Sequence, residues 1–227
     1  MVYTFWEGDM PEYIKHCLRT WSFPFTVLNY KNLEHYTDIE VNDRLKRFTL
    51  PQIADCVRVH VLRDQGGIWL DADTIMLGDE LPDADIAGNP ETRENTIGFL
   101  RAEQGSEMYR EWAEHQDRIL QQDETPNRWS IMGNDFTDPW LKSHPEVRIH
   151  PVTDFWAETY MIPGYIPRWR KYEMFYFDQS RHLTELEPTP MLMLHNSWTP
   201  AWYKYGRDVL KLRCTMSNIL REVLQGG

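Results

Sequence analysis

A helical stripe, a glycine pair and an apolar run that stops at two carboxylates follow one another between Thr49 and Asp73, and no other stretch limits the fold so tightly. Thr49 is a natural N-cap, with Pro51 just inside the first turn. Leu50, Ile53, Ala54, Val57 and Val61 recur at the spacing of a helix with one buried face. Residues 50–65 are therefore expected as a helix, ended by Gly66 or Gly67. Ile68-Trp69-Leu70 then reads as a buried strand running into Asp71 and Asp73. If that strand stays extended, residues i and i+2 share a face and the two carboxylates converge. Convergent carboxylates suit a hard divalent cation with open positions for an outside ligand, whereas a solvated strand end or turn is the plainer alternative. Asp55 and Arg58, three apart, share one side of the helix. They form either a weak surface ion pair or a pair aimed at the same region as the carboxylates.

The rest of the chain reads as α/β. Val2 to Trp6 is a short apolar strand. Asp9 is a candidate N-cap before Pro11, and Tyr13, Ile14, Cys17, Leu18 and Trp21 have helical spacing. Phe23 to Tyr30 is a second strand, so the opening β-α-β unit predicts parallel pairing. Residues 31–48 are expected as short helices or loop. Strands follow near 74–77, 85–88 and 96–101, then a helix from Ser106 to about Gln121 and a polar linker from Asp123 to Arg128. Gly133-Asn134-Asp135 opens another helix, and Val147 to His150 is a strand. Residues 151–180 carry Trp156, Tyr160, Tyr165, Trp169, Tyr172, Phe175, Tyr176 and Phe177 without clean periodicity, and are expected as hairpins and loops along a cleft. Met191 to Leu194 is a strand ending in His195-Asn196-Ser197-Trp198. A final helix over about 207–224 uses Val209, Leu212, Met216, Leu220 and Val223. With no repeat or boundary, one domain over 1–227 is expected, with a mostly parallel central sheet flanked by helices. Ligands of open α/β sheets bind outside the carboxyl ends of strands, where Asp71, Asp73 and His195 are placed. Two carboxylates and an imidazole suit Mn²⁺ better than Ca²⁺.

Composition narrows the function. With 41% apolar and 26% charged residues the chain is globular. No apolar run approaches the roughly 18 residues of a membrane span, and the first residues lack the regions of a signal peptide. Cys17, Cys56 and Cys214 are odd in number and scattered, which fits a reducing compartment, the cytoplasm. A net charge of −11 argues against nucleic acid as a partner. It also means that a phosphorylated ligand would draw local positive charge from a bound divalent ion. Ten Trp and eleven Tyr serve either an aromatic core or stacking on sugar or base faces.

Asp55-x-x-Arg58 followed by Gly66-Gly67-Ile68-Trp69-Leu70-Asp71-Ala72-Asp73 resembles the signature of glycosyltransferases whose sugar-binding region contains a DXD motif. That group includes fungal initiating mannosyltransferases, bacterial capsular polysaccharide transferases and the catalytic domains of clostridial glucosylating toxins. A weaker match runs from Phe5-Trp6 and Met10-Pro11 to His195-Asn196-Ser197-Trp198. The resemblance implies a single Rossmann-like GT-A domain that binds a nucleotide-sugar, usually a UDP-sugar, with Mn²⁺ or Mg²⁺, and transfers the sugar to a glycan or other hydroxyl acceptor. Asp73 would ligate the metal bridging the diphosphate, and Asp71 would contact the metal or the ribose and sugar. Asp55 and Arg58 would hold donor-sugar hydroxyls. His195, or Ser197 and Trp198 beside it, would complete the metal and diphosphate site. Trp6 occupies the position of an aromatic that stacks on uracil, and is also a fair core residue. The relatives largely retain anomeric configuration.

The chain departs from the pattern at His195-Asn196-Ser197-Trp198, where relatives often have two histidines or a glycine, and at Gly133-Asn134-Asp135, where they often have Gly-Pro. Asp135 is open to three roles: orienting an acceptor hydroxyl, general base, or N-cap. Lys204 reads as a phosphate contact or a surface lysine. Two rival functions remain. A haloacid-dehalogenase-like phosphotransferase also ends a strand in D-x-D, but its threonine lies four residues after the first Asp, whereas Thr74 is three after Asp71. A non-catalytic, divalent-ion-dependent carbohydrate-binding module would bind glycan without UDP.

Overall fold

β1 (Val2–Phe5) is buried along its whole length, as its unbroken apolar run requires of a strand covered on both faces. β2 (Phe25–Leu28) pairs parallel to it with Val2 opposite Phe25, and β3 (Gly67–Leu70) pairs parallel on its other edge with Tyr3 opposite Trp69. The structure is a computed structural model that describes residues 1–124, 126, 128–151, 166–179 and 189–226. The chain divides into two compact units. The first is built from Met1–Gly8, Pro24–Asp71 and Asp83–Pro151, the second from Asp9–Phe23, Ala72–Pro82 and Val152–Gly227.

The first unit holds the central sheet. To β1, β2 and β3 it adds β5 (Ile86–Gly88), β6 (Asn95–Ala102) and β7 (Ile149–Pro151), in the order β2-β1-β3-β6-β5-β7. β6 is antiparallel to both neighbours, while β5 and β7 pair parallel. The expected α/β class with a mostly parallel sheet is the one observed. α3 (Leu50–Gln65) packs on this sheet. Thr49 is the N-cap expected from the sequence, and the structure adds a capping box, with the Thr49 N–H donating to Gln52 Oε1 at 3.1 Å. Gly66 ends it with φ of +64°. One buried face was expected, but Cys56, Val57, Val59, Val61 and Leu62 are all fully buried. The reason is a second neighbour: α4 (Glu107–Leu120) packs on α3 as the sheet does. A short helix α2 (Asp43–Lys46), capped by Asn42, and α5 (Asn134–Ser143) complete the unit.

β3 stops at Leu70, so the expected extended strand through Asp71 and Asp73 is not formed. The Asp71 N–H donates to Gly98 O at 2.8 Å, beside the last β3–β6 pair, and the chain then leaves the first unit. Residues 72 and 73 form a turn into β4 (Thr74–Met76). Strand alternation therefore does not relate the two carboxylates.

In the second unit β4 pairs antiparallel with β8 (Met191–Met193), Thr74 opposite Met193. His195 thus follows a strand of this two-stranded sheet and not of the central sheet. α1 (Glu12–Arg19) buries Tyr13, Ile14, Cys17 and Leu18. Asp9 does not cap it; Pro11 is the N-cap residue. The Trp21 indole N–H donates to Thr74 O at 3.0 Å, tying the end of this segment to β4. Within 151–180 the structure shows α6 (Arg168–Phe177) where hairpins and loops were expected. Tyr172, Phe175 and Tyr176 are its buried i, i+3, i+4 set. Trp156, Tyr160 and Tyr165 lie outside the described residues. The expected C-terminal helix begins only at α8 (Thr215–Gly226), after α7 (Ala201–Lys204). Asp208 takes φ of +59° and Val209–Lys211 is one tight turn. That turn is folded onto α8, because Ser217 Oγ donates to Val209 O at 2.6 Å and Arg221 donates to Leu212 O at 3.0 Å. All three cysteines are free and buried. No helix among the described residues is long and apolar enough to cross a membrane.

Candidate active site

The sequence-expected residues fall into two groups, one in each unit, separated along the chain by Ala72 alone. In the first unit Arg58 is the centre. Its Nη2 lies 3.0 Å from Asp55 Oδ1 and 3.2 Å from Asp71 Oδ1. Its Nε donates to Ala54 O at 3.3 Å and its Nη1 to Ile97 O. The guanidinium carbon stands 5.1 Å above the Trp69 ring, a cation–π contact. Trp69 Nε1 donates to the same Asp71 oxygen at 2.8 Å. One carboxylate oxygen of Asp71 is thus held by two donors, while its side chain stays 35% exposed.

Asp55 is far more enclosed, its side chain only 11% exposed. Burial pushes its carboxyl up to about 7; Arg58 opposes the rise and Asp71 adds to it. Desolvation is the larger cause, and one guanidinium shared between two carboxylates offsets only part of it. The Asp55 carbonyl accepts from Gln116 Nε2 at 3.0 Å, and Gln116 Nε2 also donates to Met132 O at 2.6 Å. Gly133 closes over this point: a Cβ there would sit 2.6 Å from Ile97 Cδ1 and 3.5 Å from Asp55 Oδ2. The segment 132–133 therefore abuts Asp55. Asp135 itself turns elsewhere, accepting from Ser130 Oγ at 2.6 Å and pairing with Arg128 at 3.0 Å. It is not the N-cap of α5, a position that Gly133 takes. Trp6 follows β1, half-buried, with its N–H donating to Leu28 O at 2.9 Å. Its indole Nε1 is buried without a hydrogen-bond partner. A cavity of about 340 Å³ elsewhere in this unit is lined by Asp38, His60, Arg63 and Asp117, and by none of Asp55, Arg58 and Asp71.

In the second unit Asp73 is buried, and its Oδ2 accepts the Asn196 N–H at 2.7 Å. The Tyr13 hydroxyl donates to Asn196 Oδ1, fixing that residue from α1. Burial and then the Asp73 charge push the Tyr13 hydroxyl far above its ordinary range, so it stays a donor. Residues 195–199 form a tight turn, with the N–H groups of Trp198 and Thr199 donating to His195 O at 2.9 and 3.0 Å. The Trp198 ring stacks on His195 with centroids 4.3 Å apart, and Ser197 is exposed. Burial pushes the Lys204 ammonium down, against the opposing pull of Asp73. Lys204 is thus half-buried and within the electrostatic reach of Asp73, not an isolated surface lysine. Among the described residues no three His, Cys, Asp or Glu side chains are grouped to hold a metal ion by themselves.

Sequence reasoning missed three contributors. Trp69 was read as a strand residue, yet it is both donor to Asp71 and platform for Arg58. Its place two residues before the carboxylate was the available signal. Gln116 and Tyr13 act through the fold, and nothing local to either marks them.

The chain belongs to the capsular polysaccharide synthesis protein family, whose model matches residues 2–123, more than half of its length. The glycosyltransferase class expected from the sequence is thereby borne out. No curated protein matches the chain. Among solved structures it is similar to the PaToxG glycosyltransferase, at 17% identity and a TM-score of 0.44 over 63% of this chain and 68% of that one. It is also similar to the apo form of the glycosyltransferase GlyE of Streptococcus pneumoniae TIGR4, at 15% identity and a TM-score of 0.38 over 99% of this chain. The chain spans 63% of that second protein's length.

Proposed function

We propose that this chain is a metal-dependent, retaining glycosyltransferase of GT-A type, acting in the cytoplasm as one catalytic domain over residues 1–227. It moves a sugar from a nucleotide-sugar, a UDP-sugar, to a hydroxyl of a glycan acceptor. The observation that carries this reading is the Arg58 guanidinium gripping Asp55 and Asp71 at 3.0 and 3.2 Å. The helix motif and the segment after the glycine pair meet there through side chains that a packed core would not choose.

The roles follow from what each group has free. Asp71 uses one oxygen on Arg58 and Trp69, which leaves the other for hydroxyls of the donor sugar or ribose. Asp55 and Arg58 fix the position of Asp71 and add polar contacts to the sugar. Asp73, a hard carboxylate held by Asn196, is the metal ligand of this reading, with His195 and Asp71 as further candidates. A dedicated cage is not required, because Mg²⁺-type ions commonly take one or two carboxylates and complete their shell with substrate phosphates. The bound ion would stabilise negative charge on the departing diphosphate. Trp6 offers its ring to the uracil and a buried, unpartnered N–H to an acceptor atom of the nucleotide. Ser197 and Trp198 contact the diphosphate beside His195. Asp135, committed to Ser130 and Arg128, orients rather than abstracts.

Calorimetric titration of UDP with Mn²⁺, and again with EDTA, tests the donor site. Metal-dependent binding is expected, and its absence in both conditions would return the chain to a carbohydrate-binding module. Asp73→Asn keeps an acceptor for the Asn196 N–H, so the fold should persist. Its sugar transfer or UDP-sugar hydrolysis should fall on the order of 100-fold. Near-normal turnover in that variant would remove Asp73 from the metal.

A further inference from the structure

Among the exposed aromatic side chains of the second unit, two stand close together on one short helix. Trp202 is 45% and Tyr205 is 76% exposed, while Tyr203 between them is fully buried. Tyr205 N–H donates to Ala201 O at 3.0 Å, so the helical turn continues through it. Trp202 and Tyr205, three apart, therefore share a side, and Tyr203 points inward. The inward residue anchors the turn: its ring lies 4.8 Å from Phe177 and 6.0 Å from Tyr13. The two outward rings are thus carried on a fixed support, not on a free loop.

Ring contacts connect this support to the turn beside Asp73. His195 stacks on Trp198 at 4.3 Å, Trp198 meets Tyr172 at 5.9 Å, Tyr172 meets Phe177 at 5.7 Å, and Phe177 meets the edge of Trp202 at 6.4 Å. Lys204, on the same short helix, lies within reach of the Asp73 charge. The exposed pair and the turn beside the proposed metal ligand are thus linked by packed rings within one unit. Trp and Tyr expose rigid apolar faces with a polar edge, a shape suited to stacking on a ligand. A pyranose offers the complement: an apolar face of C–H bonds rimmed by hydroxyls. The family's product is a polysaccharide, so sugar rings are the partner chemistry at hand.

We propose that Trp202 and Tyr205 form a stacking platform for a sugar ring of the glycan acceptor. The proposal rests on the donor reading above, but its test does not depend on it. The full chain, labelled with 5-fluorotryptophan, is titrated with methyl glycosides of glucose, galactose, mannose and N-acetylglucosamine and with short oligosaccharides, in the presence of UDP and Mn²⁺. The Trp202 signal is assigned by its absence in Trp202→Phe. A saturable shift of that signal with at least one glycoside is expected. Affinity for that glycoside, read calorimetrically, should drop about ten-fold in Trp202→Ala, the equivalent of one stacking contact. Trp202→Phe should restore most of it, while the affinity for UDP stays unchanged. A Trp202 signal that no sugar moves, in a chain that binds UDP, would overturn the platform. Equal weakening of UDP and glycoside in Trp202→Ala would overturn it too, by making the residue a structural support. A shift at Trp202 without UDP binding would keep the platform and remove the donor reading.

Discussion

Arg58 carries one positive charge between two carboxylates, and the imbalance has consequences for stability. Removing it strands Asp55 in a desolvated site, so Arg58→Ala should destabilise the fold by about 3–5 kcal/mol, read by urea denaturation. Asp55 itself titrates. Its folded carboxyl ionises near 7, above the ordinary value of 3.8. Between those two values the folded chain keeps a proton that the unfolded chain has released. Stability from this group is therefore full below about 4 and declines as pH rises toward 7. Asp55→Asn should flatten that part of the stability profile. An equal slope in wild type and variant would locate the titration elsewhere. At this scale the sequence was legible where spacing along one helix was enough, as for Asp55 and Arg58. It was not legible for Tyr13 and Asn196, whose contact joins positions 183 residues apart.

The elements explain which expectations held. α3 carries its start and stop in its own residues, Thr49, Gln52, Pro51 and Gly66, so both ends could be read locally. Gly67 is the sharper requirement. Its φ is +97°, and an added Cβ would lie 2.6 Å from the Met1 carbonyl oxygen, a backbone atom that cannot swing aside. Gly67→Ala should lower stability by about 1–3 kcal/mol from backbone strain alone, with a fall in the melting temperature as the readout. β3 ends with its apolar run and does not extend through Asp71 and Asp73, because strand length is set by its partners and β6 stops pairing with it at Leu70. α6 was hidden by composition: Tyr and Phe favour strands, and their helical spacing was masked among exposed aromatics such as Trp169. The last helix starts later than the spacing suggests: Val209 sits in phase with Met216 and Leu220, but it belongs to a separate tight turn entered through a left-handed Asp208 and left through an extended Leu212.

Across the whole molecule, the reading of a mostly parallel α/β chain held, since it followed from β-α-β patterning at the start. The pairing of β4 with β8 was not legible in the sequence, because it joins Thr74 to Met193 with no local signal. Burial of all three thiols makes a further expectation checkable: Cys17, Cys56 and Cys214 should resist an aromatic disulfide reagent in native buffer and all react in denaturant. Rapid labelling of one thiol in native buffer would show its packing to be wrong. The two units are threaded through one another, with crossings after Gly8, Phe23, Asp71, Pro82 and Pro151. That threading bears on how such genes can be shuffled. A recombination event near residue 151 would bring in a foreign C-terminal segment, with its own Trp202 and Tyr205 equivalents, and leave Asp55, Arg58 and Asp71 as an intact inheritance. Asp73 would stay with the old gene while the backbone amide that holds it, at Asn196, came from the new one. Compatibility across that hydrogen bond, the β4–β8 pairing and the Tyr13 contacts, more than similarity of the whole chains, would decide which hybrids work.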